Sequence, residues 1–295
     1  MSNLDAGPVT VIGLGLMGQA LAGAFLRDGR PTTVWNRTAG KGEALVAQGA
    51  RLAGSVGEAV AAAPLVVVCV SDHDAVHGLL EPLGDVLDGR VLVNLSSGTS
   101  QAARETAGQV AKRGGTYLAG AIMAVPATIG TADATIVYSG PRAAFDQHEP
   151  ALRCLAGGTA YLGADHGLAA LHEVAVLSLM WNILNGFLHG AALLGAAGVN
   201  ASAFVPLAKE GVSTVGAWLE GYARQIDEGA YPALDSTIDT HLAAMEHVVA
   251  ESETLGVDAE LPRFVKALAE RAVAGGRGGD GYAAMIEWFR TPASA

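Results

Sequence analysis

A glycine-rich loop between a strand and a helix constrains the fold of this chain most. The β-branched run Val9-Thr10-Val11-Ile12 leads into Gly13-x-Gly15-x-x-Gly18, and a helical pattern begins near Met17. In this context the glycines permit a tight turn, a close backbone approach to a pyrophosphate and close helix–strand packing, with the helix N-terminus facing the anion. The residues predicted to hold a dinucleotide here are Gly13, Leu14, Gly15, Leu16, Met17 and Gly18. A glycine-rich turn without a ligand is the alternative.

The first half of the chain alternates strand and helix patterns. Between residues 8 and 95, short β-branched runs are separated by helical stretches, which is typical of a parallel, doubly wound sheet. The run Val66-Val67-Val68-Cys69 is continuously apolar, as expected of a strand covered on both faces. A last run over residues 135–140 is predicted to close this half.

The second half is predicted to be helical. One helix extends from about Gly167 to Leu194, about 42 Å at 1.5 Å per residue, which is longer than a small domain is wide. Amphipathic helices follow to the end of the chain. We therefore predict an α/β fold with a Rossmann cofactor domain over residues 1–163, a long interdomain helix over 164–194, and an all-α domain over 195–295.

Composition limits the partners. The chain has 18 Lys+Arg against 29 Asp+Glu, a formal charge of -11, which disfavours nucleic acid and anionic membranes. Only 16% of its residues are charged, against about 25% in an ordinary soluble protein, so extensive subunit contact is expected. Cys69 and Cys154 form no disulfide pattern, and Met1 to Asp5 lack the basic region of a secretory signal. These observations favour the cytoplasm.

A membrane span has to be considered for one stretch. From Val174 to Val199 the sequence carries no Asp, Glu, Lys or Arg, which is long enough to cross a bilayer. However, Asn182, Asn185 and His189 form a polar stripe, and no basic cluster flanks the stretch. A helix buried in a core or a subunit interface is the simpler interpretation, so no membrane association is expected.

The end of the second strand predicts which dinucleotide is bound. After Thr32-Thr33-Val34-Trp35 comes Asn36-Arg37-Thr38, where an NAD enzyme usually places an acidic residue on the ribose. Arg37 is suited to a 2′-phosphate, Asn36 and Thr38 offer hydrogen bonds, and Lys41 follows one turn later. This favours NADPH over NADH, with an ordinary surface arginine as the alternative.

Two more loops should border the cofactor. Val70 and Ser71 end one strand region, and Asn94, Ser96 and Ser97 follow the next. Ligands of open α/β sheets collect outside the carboxyl ends of the strands, so these residues are candidate contacts near the nicotinamide or the substrate. Ser96 and Ser97 are equally plausible helix caps.

Several motifs together resemble a known family. The runs that carry the resemblance are Val11-Ile12-Gly13-Leu14-Gly15-Leu16-Met17-Gly18, Trp35-Asn36-Arg37-Thr38, Asn94-Leu95-Ser96-Ser97-Gly98-Thr99, Gly163-Ala164-Asp165-His166-Gly167 and Trp181-Asn182-Ile183-Leu184-Asn185-Gly186-Phe187. The first two resemble the β-hydroxyacid dehydrogenase superfamily, and the others resemble its imine reductases and reductive aminases. The resemblance implies a homodimer with swapped helical domains, each lying over its partner's Rossmann domain.

The resemblance also implies a catalytic residue. Hydroxyacid dehydrogenases of this superfamily carry a catalytic lysine near the start of the long helix, but this chain has no lysine between Lys112 and Lys209. Imine reductases place an aspartate or a tyrosine there, and this chain has Leu171-His172-Glu173. Glu173 is therefore expected to hold an iminium ion by charge attraction or to donate a proton. The alternative for Glu173 is an exposed first-turn carboxylate, and His172 is expected to be structural.

A substrate pocket is predicted around Glu173. Leu177, Met180 and Trp181 share its helical face. Across from them, the expected pocket residues after the sheet are Met123, Val125 and Pro126. The implied dimer adds Trp218, His241 and Met245 from the partner, each of which could also be simple packing.

The leading hypothesis is an NADPH-dependent reductase of cyclic or preformed imines that produces chiral amines, which would extend to the condensation of a ketone with an amine. A hydroxyacid or semialdehyde reductase is the rival enzyme, opposed by the missing lysine. A non-catalytic NADP-binding sensor is the third hypothesis. No metal is expected.

Overall fold

The computed structural model describes residues 7–290, so the predicted absence of a signal at Met1 to Asp5 lies outside the described residues. The chain divides into two compact units, one ending at Ser178 and the other beginning at Leu179. The first is an α/β unit and the second is all helical. This confirms the predicted fold class.

The first unit is built on one eight-stranded sheet in the order β3-β2-β1-β4-β5-β6-β7-β8. The strands are β1 (Val9–Ile12), β2 (Thr32–Trp35), β3 (Arg51–Leu52), β4 (Leu65–Val68), β5 (Val91–Asn94), β6 (Thr116–Ile122), β7 (Thr135–Ser139) and β8 (Gly158–Gly163). The order of the first six strands is that of the Rossmann fold, in which the connections reverse direction between β1 and β4. Ligands of such sheets bind at this reversal.

Helices cover both faces of the sheet. They are α1 (Leu16–Arg27), α2 (Glu43–Val46), α3 (Val56–Ala61), α4 (His73–Leu80), α5 (Ser100–Ala111) and α6 (Arg142–Leu152). Successive side chains of β4 point to opposite faces of the sheet: Val67 packs in one buried cluster, and Val66 and Val68 pack in the other. The continuous apolar run read from the sequence therefore marks a strand buried on both sides.

The far edge of the sheet departs from the sequence prediction. β7 runs antiparallel to β6: the twelve residues that join them contain a 3₁₀ turn, Pro126–Thr128, but no α-helix of the kind that usually carries a parallel crossover. β7 also does not close the sheet, since β8 pairs beside it. The residues of β8 are mostly half-buried, and the strand begins and ends with glycine. Its sequence therefore carries no strong strand pattern.

Helix α7 (Leu168–Ala196) contains residues of both units, and the second unit continues with α8 (Ala201–Glu228), α9 (Ile238–Thr254), α10 (Glu260–Ala274) and α11 (Ile286–Arg290). Its small core includes Tyr231, Ile238 and Met285. Tyr231 donates a hydrogen bond to Glu287, which fastens α11. Helix α7 is long and apolar enough to cross a membrane by length and composition.

Two helical glycines allow a matched test of the fold. A Cβ on Gly18 would lie 1.8 Å from the Gly13 carbonyl oxygen, while a Cβ on Gly108, in α5, would meet nothing within 4 Å. We expect Gly18→Ala to lower the free energy of unfolding by about 2 kcal/mol or more because backbone must move. Gly108→Ala should raise it by about 0.5 kcal/mol through helix propensity. Urea unfolding measures both, and equal effects would contradict the packing described.

Candidate active site

A cleft of about 680 Å³ opens at the carboxyl ends of β1 and β4, where the connections of the sheet reverse. Most residues predicted to bind the dinucleotide line it: Gly13, Leu14, Gly15, Leu16, Met17, Gly18, Asn36, Arg37, Thr38, Lys41, Val70 and Ser71. The sequence prediction did not include Trp35, Cys69, Ala75, Gly78 and Leu79, which also line the cleft. Trp35 and Cys69 could have been found, because each stands next to a predicted cleft residue.

The glycine loop is shaped by backbone contacts. Gly13 has φ +94°, and a Cβ there would lie 2.2 Å from the Cys69 carbonyl oxygen. Gly18 meets the Gly13 carbonyl equally closely, so α1 is drawn tightly onto β1. By contrast, nothing lies within 4 Å of a Cβ on Gly15, which caps α1 without a side-chain hydrogen bond. The free N–H groups of α1 thus face an open space that fits a pyrophosphate.

The segment after β2 supplies both support and positive charge. Asn36 accepts a hydrogen bond from the Leu14 N–H at 2.9 Å and donates one to the Thr38 carbonyl at 3.0 Å. Its amide therefore braces the glycine loop, which the sequence did not predict. Arg37 is exposed and forms no ion pair within residues 7–290, and Lys41 lines the same cleft. Arg37 and Lys41 could therefore both bind an anionic group of a ligand.

The loops after β4 and β5 are tied to each other. The Val70 N–H donates to Ser96 Oγ at 3.0 Å, and the Ser96 N–H donates to Asn94 Oδ1 at 3.0 Å. The Asn94 amide in turn donates to the Tyr117 hydroxyl at 3.1 Å. These side chains bond within the protein and fix the loop edges, while Val70 and Ser71 face the cleft. Roles in cofactor binding stay a prediction for all of them.

Ser97 lies in contact with the predicted catalytic residue. Its Oγ donates a hydrogen bond of 2.6 Å to Glu173 Oε1. Ser97 is not a helix cap, because Thr99 caps α5 by accepting from the Ala102 N–H. The Ser97 hydroxyl is thereby left for the carboxylate. The sequence placed Ser97 near the reacting groups but did not predict this partner.

Glu173 is nearly buried, with only 9% of its surface exposed. It lies in the second turn of α7, so the alternative of an exposed first-turn carboxylate is wrong. Among residues 7–290 no lysine, arginine or histidine forms an ion pair with it. A buried carboxylate costs free energy unless it is paired, and here Ser97 supplies one hydrogen bond and no positive charge. The site is electrostatically prepared for a cation.

The start of α7 is anchored by an ion pair. The Arg104 guanidinium donates to both Asp165 carboxylate oxygens, from Nη2 to Oδ2 at 2.7 Å and from Nε to Oδ1 at 2.9 Å. Asp165 also accepts from the Gly167 N–H, and these hydrogen bonds lower the pKa of its carboxyl to about 2. A Cβ on Gly167 would collide with the guanidinium. This arrangement fixes the register from which Glu173 projects.

His172 is turned away from this centre. Its Nδ1 lies 2.8 Å from the Leu168 carbonyl, and a carbonyl only accepts, so Nδ1 carries the proton. The side chain is exposed on its own helix. This contact with its own helix is consistent with the structural role expected for His172.

The buried His73 and the half-buried His77 pack behind the loop that carries Ser97. Thr106 Oγ1 donates to a carbonyl of α5, so it accepts from both His73 Nδ1 at 2.8 Å and His77 Nε2 at 3.1 Å. Burial, followed by the neighbouring His77, lowers the pKa of His73. A Cβ on Gly98 would lie 2.3 Å from the His73 ring. No local sequence pattern indicated this network.

The residues predicted to line the substrate pocket lie in several different parts of the structure. Met123 is half-buried, whereas Val125 and Pro126 are exposed after β6. On α7, Leu177 is half-buried and Met180 and Trp181 are exposed. In the helical unit, Trp218 and His241 line one cavity of about 180 Å³. Met245 lines another of similar size with His189 and Val248. The part of the chain that the structure describes holds no cluster of three or more side chains suited to a metal ion.

Known proteins match the chain over nearly its whole length. Residues 8–163 match the NAD binding domain of 6-phosphogluconate dehydrogenase, and residues 165–291 match an NADPH-dependent reductive aminase-like C-terminal domain. The chain is 37% identical to the NADPH-dependent reductive aminase of Aspergillus oryzae, over 96% of this chain and 97% of that protein.

Solved structures agree with these matches. A Streptomyces aurantiacus imine reductase has a TM-score of 0.92 and 40% identity, covering 96% of this chain and all of the other (100%). A reductive aminase from Aspergillus terreus, in complex with NADPH and ethyl levulinate, has a TM-score of 0.91 and 41% identity, covering 97% and 100%. The chain belongs to the family of NADPH-dependent imine reductases and reductive aminases.

Proposed function

We propose that this protein reduces the C=N bond of cyclic or preformed imines with NADPH and gives chiral amines, and that it extends to the condensation of ketones with amines. The observation that carries the proposal is Glu173, a nearly buried carboxylate that is hydrogen-bonded to Ser97 and forms no ion pair with a cation among residues 7–290. An iminium ion would supply the missing positive charge. When bound, NADPH supplies the hydride.

Each residue of the site has a defined task in this proposal. Ser97 holds Glu173 Oε1, which leaves Oε2 to face the substrate nitrogen. The carboxylate attracts an iminium ion, or in its acid form it donates a proton to the nitrogen of a neutral imine, which thereby becomes the iminium ion that accepts the hydride. Leu177 and Met123, both half-buried, would exclude water beside it. The domains in this proposal are those of the sequence prediction, residues 1–163, 164–194 and 195–295.

The rival functions are less well supported. A hydroxyacid or semialdehyde reductase of this superfamily needs a cation to stabilise an alkoxide, and the chain has no lysine between Lys112 and Lys209. In a sensor without catalysis, burial of an uncompensated carboxylate would only cost stability. In an imine reductase, the same carboxylate would stabilise the cationic substrate, which explains why it is kept buried.

The choice of NADPH is supported by the charge around the cleft. Arg37 and Lys41 border it, neither is paired within the described residues, and no acidic side chain lines it. A ribose 2′-phosphate would satisfy both cations. Asn36 is engaged with Leu14, so it supports the loop that binds the pyrophosphate.

The helical unit supports the proposed homodimer with swapped domains. Exposed apolar side chains line its two long helices: Leu179, Met180, Trp181, Ile183, Leu184 and Leu188 on α7, and Val205, Leu207, Val212, Val215, Trp218 and Leu219 on α8. Patches of this extent mark interaction surfaces. On α7, His189 bonds to the buried Ser252 at 3.2 Å, which favours a protein environment over lipid.

In the proposed dimer, Trp218, His241 and Met245 contribute to the partner's substrate pocket. The protein is proposed to work in the cytoplasm, where its two free cysteines stay reduced; burial raises the pKa of the Cys69 thiol to about 11, which makes it unreactive. Neither nucleic acid nor a membrane is a proposed partner.

Removing the charge of Glu173 tests the reaction. Glu173→Gln should lower kcat for a preformed cyclic imine by about 100-fold or more, with the Kd for NADPH unchanged, because charge stabilisation at the nitrogen is lost. Ser97→Ala should cost about tenfold. Glu105→Gln, an exposed carboxylate on α5, is the matched control. NADPH consumption with an imine and with a semialdehyde gives the rates.

Two results would count against this proposal. Unchanged imine reduction in Glu173→Gln would remove Glu173 from its role. Turnover of the semialdehyde alone would replace the function itself, and no turnover of either substrate would favour the sensor.

Removing Arg37 tests the cofactor. Arg37→Ala should weaken NADPH binding by about 10- to 100-fold and leave NADH binding nearly unchanged, because only NADPH carries the 2′-phosphate. Lys112→Ala removes an exposed charge outside the cleft and serves as the control. Fluorescence titration of each cofactor gives the Kd. Equal losses for the two cofactors would contradict the assignment.

Charging the apolar face tests the dimer. Leu184 and Leu188 lie one turn apart on α7 and are 43% and 63% exposed. The double variant Leu184→Glu, Leu188→Glu should shift the protein from dimer to monomer, since carboxylates would have to be buried in the interface. Light scattering in detergent-free buffer measures the mass, with Val46→Glu on α2 as control. A monomeric wild type would refute the dimer, and a requirement for detergent would favour the membrane span.

A further inference from the structure

A buried histidine lies behind the loop that joins β5 to α5. His73 is the first residue of α4, is 7% exposed and does not line the cleft. Its ring packs closely on Gly98, because a Cβ added there would lie 2.3 Å from His73 Cδ2 and 2.8 Å from Nε2. No side chain fits between the ring and this loop. The ring therefore limits where the backbone beside Ser97 can lie.

The His73 ring is itself held in place. Its Nδ1 lies 2.8 Å from Oγ1 of Thr106, a residue of α5 with 0% exposure. Thr106 Oγ1 donates its own proton to the Ala102 carbonyl, so it accepts the proton of His73 Nδ1. Turning the ring away from Gly98 would break this bond and leave a buried donor unpaired, which is unfavourable.

The loop is also fixed at its two ends. Ser96 and Thr99 accept hydrogen bonds from backbone N–H groups at 3.0 and 3.2 Å. Between these points lies Gly98, on the histidine ring, and directly before it Ser97 donates the 2.6 Å hydrogen bond to Glu173. A hydrogen bond of this kind weakens steeply when its atoms move apart. A shift of Gly98 into the space of the ring would therefore weaken the hold of Ser97 on the carboxylate.

Helix α4 separates this contact from the cofactor cleft. Ala75, Gly78 and Leu79 line the cleft. His73 and His77, spaced i and i+4, lie on the opposite face of the helix. A substitution at His73 thus changes the loop without removing a side chain of the cleft, so effects on the reaction and on NADPH binding can be distinguished.

We propose that His73 is a positioning residue for the reaction: its ring holds the backbone of Gly98 in place and so keeps Ser97 Oγ on Glu173. Burial lowers the pKa of His73, so the ring is neutral near pH 7 and adds no cation that would compete with an iminium ion. The role rests on the proposed function of Glu173, but the contact between Ser97 and Glu173 can be observed without turnover.

Kinetics of the full-length protein test this role. His73→Ala should lower kcat for 2-methylpyrroline, a preformed cyclic imine, by about tenfold, as Ser97→Ala does, with the Kd for NADPH unchanged. In a Ser97→Ala background it should change kcat by less than about twofold, because the bond it supports is already absent. His77→Ala is the control: His77 also bonds to Thr106, and its removal should leave kcat unchanged.

A reciprocal substitution tests the contact from the other side. Gly98→Ala places a methyl group against the His73 ring and should lower kcat by about tenfold, while the buried bond to Thr106 stays in place. Combining it with His73→Ala frees the space and should recover about fivefold of the loss. Gly108→Ala, whose Cβ meets nothing within 4 Å, is the matched control. Thermal melting checks the fold of every variant.

A crystal structure of the His73→Ala variant gives the readout that needs no activity. The distance from Ser97 Oγ to Glu173 Oε1 should rise from 2.6 Å to beyond about 3.5 Å. An unchanged distance, an undiminished kcat in Gly98→Ala, or a full tenfold loss on adding His73→Ala to Ser97→Ala would overturn the inference. Loss of the contact in a protein whose wild type reduces no imine would instead remove the proposed function and leave the positioning contact standing.

Discussion

The close backbone contact of Gly13 and Gly18 with each other and with the Cys69 carbonyl is the constraint on which the rest of the first unit depends. No side chain fits between these segments, so β1, β4 and the start of α1 meet at their minimum separation. The N–H groups of α1 then face outward at the reversal of the sheet, and Asn36 braces the loop through Leu14. The cleft is a consequence of this packing rather than of any binding side chain.

The same geometry determines where the chemistry takes place. Val70 bonds to Ser96, and the loop that follows brings Ser97 to Glu173 on α7. Thr99 caps α5 and so leaves the Ser97 hydroxyl free for the carboxylate. At the other side, the Arg104–Asp165 ion pair fixes the start of α7. Glu173 is held from two directions, as preorganisation of a catalytic group requires.

Local patterns in the sequence were enough for the sheet, the glycine loop and the long helix, because each depends on residues close together in the chain. The antiparallel direction of β7 and the edge strand β8 were not predicted, because the β6–β7 connection carries no α-helix and the residues of β8 are weakly patterned. The Ser97–Glu173 bond joins residues 76 positions apart, and the histidine pair at Thr106 depends on the packing of α4 on α5. Asn36 braces the glycine loop through Leu14, which the sequence does not reveal because a hydrogen-bonding side chain does not identify its partner; its contact with the cofactor stays a prediction.

The nearly buried Glu173 has a hydroxyl partner, and within residues 7–290 it forms no ion pair with a cation. A carboxylate near an alkoxide would be repulsive, whereas near a cationic nitrogen it is attractive at every stage from binding to product. A lysine in place of Glu173 would reverse this preference. The absence of lysine between Lys112 and Lys209 is therefore as informative as the presence of Glu173, because it removes the competing cation from the helix that carries the carboxylate.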